Sequence, residues 1–336
     1  MLNAAVIGLG VGQHHVRAFN SHPGCRVAVA CDLRQERLDA VLAEFPDTAT
    51  TTDAAAVIAD PDIDIVSVAG FDDVHAEQAV AALRAGKHVF VEKPICQTRK
   101  ELDTLVEALS ARPDLRLSSN LPLRTAPRFA RVRQAVQEGR FGRVYHLEGD
   151  YYWGRTEKLT RGWRTDMEFY SIIHGACIHL VDLAVWLTGE WPVSVYATGN
   201  GLATSGSALR FNDFGMLVLT FPSGMTAKIT GHGGCVHPHF HRVAVFGSAM
   251  TFLNEGAEAT WIESSDPGAA PAKETDGYPA RENRGESMTT FIDSIVNPGI
   301  RPLVTMPEAI HVMDICLAAE DAVCRGQART ITYTKI

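Results

Sequence analysis

An apolar run, Ala4-Ala5-Val6-Ile7, breaks into Gly8-Leu9-Gly10-Val11-Gly12, and a helix-compatible segment follows from Gln13 to Asn20. A buried strand that turns sharply into a helix reads this way. Glycine allows the tight turn and lets a phosphate approach main-chain N–H groups. The helix start adds unpaired donors and a partial positive charge. The usual dinucleotide pattern sets glycines at the first, third and sixth places. Gly8 and Gly10 fit it, but the sixth place is Gln13 and a glycine sits one residue early, at Gly12. The close helix–strand contact of the third glycine is left without an assigned residue.

The next apolar run, Val27 to Cys31, ends in Asp32. A dinucleotide fold places there, about twenty residues past the turn, the carboxylate that bonds the adenosine ribose hydroxyls. An aspartate repels a 2′-phosphate, so NAD is favoured over NADP. Arg34 weakens that preference, because an arginine there accepts the phosphate.

The chain has 336 residues, 46% of them hydrophobic, which suits two domains with a core each. Its formal charge of −8 and the lack of a basic block argue against nucleic acid or an anionic membrane as partner. No apolar run is long enough to span a bilayer. Seven scattered cysteines read as reduced thiols of a cytoplasmic protein.

Residues 1–121 alternate short apolar strands with helical segments, which predicts a doubly wound parallel sheet, a nucleotide-binding Rossmann domain. Strands are expected near Ile63–Ala69, His88–Val91 and Leu115–Ser119. Helices are expected at Gln35–Phe45, Ala76–Ala85 and Thr98–Ser110, the last opened by a Thr98/Glu101 capping box. Ligands of such sheets sit at the carboxyl ends of the strands. Gly8–Gly12, Asp32, Gly70–Asp72 and Glu92–Lys93 all fall there.

Residues 122–336 read as a substrate-binding and oligomerisation domain. A helix over Arg124–Glu138, a long strand over Arg143–Trp153 and an apolar helix over Ile172–Leu187 come first. Successive strands with tight turns follow, predicting an α+β domain with a large open, mostly antiparallel sheet. Two late helices and a strand at Thr330–Tyr333 close the chain. An open sheet needs cover, so a homodimer or homotetramer through this sheet is expected.

Two groups suit proton chemistry. Pro94 pushes Lys93 toward an extended backbone at a strand end; the ammonium either serves a substrate hydroxyl or pairs with Glu92. His179 lies near the start of the apolar helix, and Asp182, three residues on, shares its face. An imidazole moves protons near neutral pH, although a histidine on such a helix is more often a satisfied core residue.

These pieces together resemble the glucose–fructose oxidoreductase / inositol dehydrogenase / MocA family. The matching stretches are Gly8-Leu9-Gly10 through His15, Asp32, Val74-His75, Ala85 to Pro94 ending in Glu92-Lys93-Pro94, Gly162-Trp163-Arg164, His179 to Asp182, Val245 to Ser248 and Pro307-Glu308-Ala309. The resemblance implies NAD(P)-dependent oxidation or reduction of a sugar, polyol, uronate or nucleotide sugar. It implies Lys93 and His179 as catalytic residues, meeting beside the nicotinamide. Cofactor contacts are expected from Gly8, Gly10, Val11, Gly12, Asp32, Arg34, Gly70, Asp72, His75, Glu92 and Lys93. The family often carries an aspartate one turn before the histidine; here that place is Gly175. His174 points about 140° around an α-helix from His179.

The arm from Trp153 to Arg164 is basic in a chain that is acidic overall. Arginine forks suit carboxylate or phosphate, so an anionic substrate group is one reading and a solvated loop the other. Asn120, Arg155, Lys158, Trp163, Arg164 and His179 are the candidate substrate contacts. His237-Pro238-His239-Phe240-His241 would put three histidines on one face of a regular strand, but Pro238 argues against one, and no metal is expected. Two other functions fit the same sequence: an NAD-dependent glycosidase, and a non-catalytic NAD-binding regulator.

Overall fold

The computed structural model describes all 336 residues, Met1–Ile336. It divides into two compact units. One comprises Met1–Leu121, Glu282–Met313 and Thr334–Ile336; the other comprises Pro122–Arg281 and Asp314–Tyr333.

The first unit opens with β1 (Leu2–Ile7), α1 (Gly12–Ser21), β2 (Cys25–Cys31), α2 (Gln35–Glu44), β3 (Ala49–Thr51) and α3 (Ala54–Ala59). It continues with β4 (Ile65–Val68), α4 (His75–Arg84), β5 (His88–Val91), α5 (Arg99–Ser110) and β6 (Leu117–Ser119). The strands form one parallel sheet in the order β3-β2-β1-β4-β5-β6. This is the expected doubly wound sheet. Its strand order reverses between β1 and β4, where such sheets take ligands. The Thr98/Glu101 capping box opens α5 as expected. β3 and α3 were not foreseen; both are too short to show a period.

The second unit starts with a 3₁₀ turn, Pro122–Thr125, and α6 (Pro127–Gln137). The helix expected from Arg124 thus begins three residues later, where Pro127 suits a first helical turn. Then come β7 (Val144–Tyr152), two short helices α7 (Glu157–Thr160) and α8 (Trp163–Asp166), a π-helical turn over Ile173–Cys177, and α9 (Ile178–Thr188). Seven strands follow: β8 (Ser194–Asn200), β9 (Phe214–Thr220), β10 (Thr226–His232), β11 (Phe240–Gly247), β12 (Thr251–Asn254), β13 (Ala259–Ile262) and β14 (Ala272–Glu274). The chain then enters α10 (Glu286–Val296), α11 (Met306–Arg325) and β15 (Arg329–Thr330). The sheet order is β14-β13-β12-β11-β7-β10-β9-β8-β15, and only β7 and β10 pair in parallel.

A cut at residue 121 does not describe the end of the chain. The helix α10 belongs to the first unit, where Met288, Phe291 and Ile292 share a core with Val6, Phe19 and Phe90. Helix α11 begins in the first unit and ends in the second.

Glycines set the second unit's layering. A Cβ on Gly149 of β7 would lie 3.2 Å from Leu180, one on Gly215 of β9 3.0 Å from Ile172, and one on Gly231 of β10 2.8 Å from Cys177. The π turn and α9 therefore press onto this face of the sheet. The opposite face carries a charge lattice: Arg242 lies 2.7 Å from Glu148, 3.0 Å from Asp150 and 2.8 Å from Glu255, and Lys228 lies 3.0 Å from Asp150.

Every residue of α9 from Ile178 to Leu187 is buried. A helix apolar on all sides needs cover on all sides. Its one acidic group, Asp182, meets the Arg124 guanidinium through contacts of 2.6–3.1 Å, with both side chains withdrawn from solvent. All seven cysteines are free thiols. Burial pushes the Cys25 thiol up to about 12 and Cys31 up to about 11. No helix is long and apolar enough to cross a membrane.

Removing one member of a buried ion pair strands the other charge. Asp182→Ala is expected to destabilise the second unit by about 3–5 kcal/mol, read as a lower urea midpoint at unchanged slope. Arg124→Met with Asp182→Leu should recover most of that loss.

Candidate functional site: the dinucleotide corner and the His179 cluster

In the first unit, β1 ends in Gly8, at φ +88°, a conformation that side chains rarely adopt. A Cβ there would lie 2.5 Å from the Ala69 carbonyl oxygen. A Cβ on Gly12 would lie 3.0 Å from Val6 and 3.3 Å from Ala69. Gly12 thus makes the close helix–strand contact that the spacing left unassigned. Helix α1 starts at Gly12 with Val11 as its N-cap, so the N–H groups of Val11, Gly12 and Gln13 form its donor end, with Gly10 in the turn just before it. Val11 is half-exposed at the turn.

Asp32 follows β2 and is buried. One oxygen accepts from Leu9 N–H at 2.6 Å and Arg37 Nη1 at 3.0 Å; the other accepts from Arg34 N–H at 2.9 Å. Burial works against its charge, but those hydrogen bonds prevail and hold the carboxyl below its usual range. Arg34 itself turns its side chain outward, 60% exposed and 3.9 Å from Glu36. The cation beside Asp32 is Arg37, which also lies 3.5 Å from the place of a Cβ on Gly10. Sequence reading missed Arg37. Its only signal is an arginine in the first turn of the helix after the acidic residue.

Glu92 and Lys93 follow β5. Glu92 accepts from Asn120 Nδ2 at 2.6 Å and from His15 Nε2 at 3.0 Å, and His15 Nδ1 lies 2.8 Å from the Ser67 hydroxyl. This buried chain ties the ends of β4, β5 and β6 to α1. Burial opposes the Glu92 charge, but the His15 and Asn120 bonds and the Lys93 charge hold its pKa down at about 2. The hydrogen bonds of Glu92 thus go to His15 and Asn120, while Lys93 acts on it through charge. Lys93 is half-buried and precedes Pro94 through a cis peptide. His75 is buried, with Nδ1 2.8 Å from the Pro94 carbonyl and Nε2 3.3 Å from that of Gly70. It shapes the loop between β4 and α4, in which Asp72 is half-buried.

In the second unit, His179 is the second residue of α9, just past the π turn. Its ring meets Tyr151 edge-on at 5.8 Å and His241 at 6.1 Å. Tyr151 Oη lies 2.9 Å from His239 Nε2, and Tyr278 Oη lies 2.9 Å from His241 Nδ1. His239 and His241 therefore join a cluster of rings around His179, a grouping that sequence reading missed. His237 leaves it and packs on Tyr152 at 4.6 Å. The regular strand starts only at Phe240, so the three histidines do not share a face. No group of three or more His, Cys, Asp or Glu side chains is arranged to hold a metal ion. Asp182 is engaged by Arg124.

The basic arm forms α7 and α8. Arg164 lies over Trp163 at 4.0 Å, Trp153 at 5.3 Å and Tyr170 at 5.6 Å, and donates to the Lys158 carbonyl at 3.3 Å. It is half-buried among aromatic faces. Partial burial, then the charges of Arg155 and Arg164, pull the Lys158 ammonium below its usual range.

The residues of the first unit fit a dinucleotide. Helix α1 has no side-chain cap at its start, and the buried Asn120 Oδ1 has no hydrogen-bond partner within the protein. Bound NAD supplies a hydride acceptor; Asp32 and the Gly10–Gly12 donors are the groups that would hold its adenosine ribose and pyrophosphate.

Two family models match the chain. The one described as the oxidoreductase family with an NAD-binding Rossmann fold covers residues 2–119. The GFO/IDH/MocA C-terminal domain covers residues 129–253. Inositol 2-dehydrogenase 2 of Saccharopolyspora erythraea is 30% identical over 233 residues, which are 68% of this chain and 66% of that protein. Myo-inositol 2-dehydrogenase of Thermotoga maritima is 25% identical over 277 residues, 79% of this chain and 78% of that one. The fold matches a levoglucosan dehydrogenase solved with NADH, at a TM-score of 0.86 and 20% identity over 99% of this chain and 100% of that one. It also matches myo-inositol 2-dehydrogenase from Lactobacillus plantarum, at 0.81 and 23% over 98% and 99%. The chain belongs to the GFO/IDH/MocA oxidoreductases, and its first 119 residues carry their NAD-binding Rossmann fold.

Glu92 titrates far below its ordinary value of 4.5, so its contribution to stability is complete above pH 4.5 and disappears as pH falls toward 2. The loss over that interval is on the order of 3 kcal/mol. Glu92→Gln should flatten this acid limb in denaturation curves measured against pH.

Proposed function

We propose that this oxidoreductase is an NAD-dependent dehydrogenase of a sugar-like substrate, moving a hydride between a hydroxyl-bearing carbon and the nicotinamide. The observation that carries the reading is the corner where the Gly8–Gly12 turn meets Asp32, with the carboxylate fixed on the Leu9 N–H. Lys93 and His179 handle the hydroxyl proton. Lys93 stabilises the developing alkoxide by charge, and His179 accepts the proton. Gly70, Asp72, His75 and Glu92 shape the nicotinamide side of the first unit. Arg34 and Arg37 set the tolerance for NADP.

Relatives named for inositol and levoglucosan make a polyhydroxylated ring the first substrate class. The positive field of Arg155, Lys158 and Arg164 makes a uronate or nucleotide sugar the second. Asn120 and Trp163 complete the substrate contacts. The outer face of the nine-stranded sheet, with Tyr145 and Tyr196 exposed beside the charge lattice, forms the interface of a homodimer or homotetramer. The protein works in the cytoplasm, where its thiols stay reduced.

Purified protein, NAD and a panel of polyols, sugars, uronates and nucleotide sugars test the reading through absorbance of reduced nicotinamide. Net NADH with one class supports it. Glycosidic cleavage without NADH, or NAD binding without turnover, points instead to the glycosidase or the regulator. Lys93→Ala and His179→Ala should each lower kcat about 10²–10⁴-fold, and His179→Ala should leave NAD affinity nearly unchanged. Asp32→Ala should raise the ratio of NADP to NAD efficiency about tenfold or more, because it removes the charge that repels the phosphate while Arg37 stays.

A further inference from the structure

Residue 175 lies one helical turn before His179 and is glycine. In an α-helix the two would sit about 40° apart around the axis. The π turn changes this: Ile178 N–H reaches back five residues to the Ile173 carbonyl. The wider turn brings residue 175 closer to line with His179. Such π turns often occur at functional sites.

The space beside Gly175 is filled. A Cβ there would lie 2.5 Å from the Tyr170 hydroxyl oxygen and 3.2 Å from the ring carbon that carries it. Any side chain at 175 would displace the phenol. Tyr170 is buried and held from several directions. Arg164 lies 5.6 Å from its ring centre and Phe211 6.4 Å away. Next in the chain, the Ser171 hydroxyl accepts from the Ile173 and His174 N–H groups at 3.0 and 3.2 Å and donates to Glu320. The start of the π turn is therefore fixed immediately after Tyr170.

We propose that Tyr170 is a positioning residue for His179: its hydroxyl occupies the place of a side chain on residue 175 and supplies the hydrogen-bonding group on that face, fixing the orientation and tautomer of the imidazole. Residues one turn apart on a helix have Cβ atoms about 5–6 Å apart, so the phenol lies within reach of the imidazole through one bridging water. The glycine is required because the polar group comes from five residues upstream instead of from the helix itself. This inference rests on the reading of His179 as the proton acceptor.

Three variants test it. Tyr170→Phe should lower kcat about 10–100-fold, with KM for substrate and NAD nearly unchanged and the pH limb of kcat that depends on His179 displaced. Gly175→Ala should give the same loss, since its methyl expels the hydroxyl. Tyr170→Ala with Gly175→Asp returns a polar group to the same place and should recover about tenfold over Tyr170→Ala alone. Histidine-labelled NMR of the resting protein gives a readout independent of turnover: the His179 tautomer should change in Tyr170→Phe. An unchanged pH profile and tautomer in Tyr170→Phe overturn the proposal, as does Gly175→Ala with wild-type kcat. Failure of the parent reading looks different: His179→Ala then keeps full activity, or no substrate is turned over by wild type.

Discussion

The second unit depends on one steric constraint: a fully buried helix must lie directly on a sheet. Gly149, Gly215 and Gly231 on three neighbouring strands leave that sheet bare where the π turn and α9 come down. Side chains there would lift the helix by the depth of a methyl or more, and close packing transmits such displacements. His179 sits in the first turn of that helix. Its position therefore rests on the absence of atoms in the sheet below. The first unit uses the same device on a smaller scale, with Gly12 against Val6 and Ala69.

Each unit also contains a buried polar knot that holds chain segments far apart in sequence. In the first, Ser67, His15, Glu92 and Asn120 link three strand ends to α1. In the second, Arg124 and Asp182 join the opening 3₁₀ turn to α9. Neither knot is on the surface, where ion pairs contribute little. Both are of the kind whose half-removal is costly, so they specify the local arrangement more than they add net stability.

Much of the first unit was legible in the chain. Short apolar runs ending in Gly8, Asp32, Gly70 and Glu92 announce parallel strands because buried strands are apolar throughout. Thr98 and Glu101 announce a helix start by their spacing. What escaped was contact that spacing does not encode. Arg37 reaches Asp32 only once α2 is wound. Gly12 takes the helix–strand contact because it faces Val6. Asp182 looked like a partner for His179 on the helical repeat, but Arg124, 58 residues earlier, engages it. The histidines around Pro238 could be grouped only after β11 was seen to start at Phe240. The π turn has no period of its own, so its effect on the line from Gly175 to His179 was invisible. The return of α10 to the first core left no trace, because an amphipathic helix does not say which core it covers.

The distribution of the thiols has a practical side. Cys25, Cys31, Cys96, Cys177 and Cys316 are shut away from solvent, and burial keeps Cys25, Cys31 and Cys177 in the protonated, unreactive state. Cys324, near the end of α11, is exposed. A maleimide or a mild oxidant offered to the native protein thus meets Cys324 first, with the half-buried Cys235 next in order. A dye could be attached at Cys324 while the buried sulfur is left untouched.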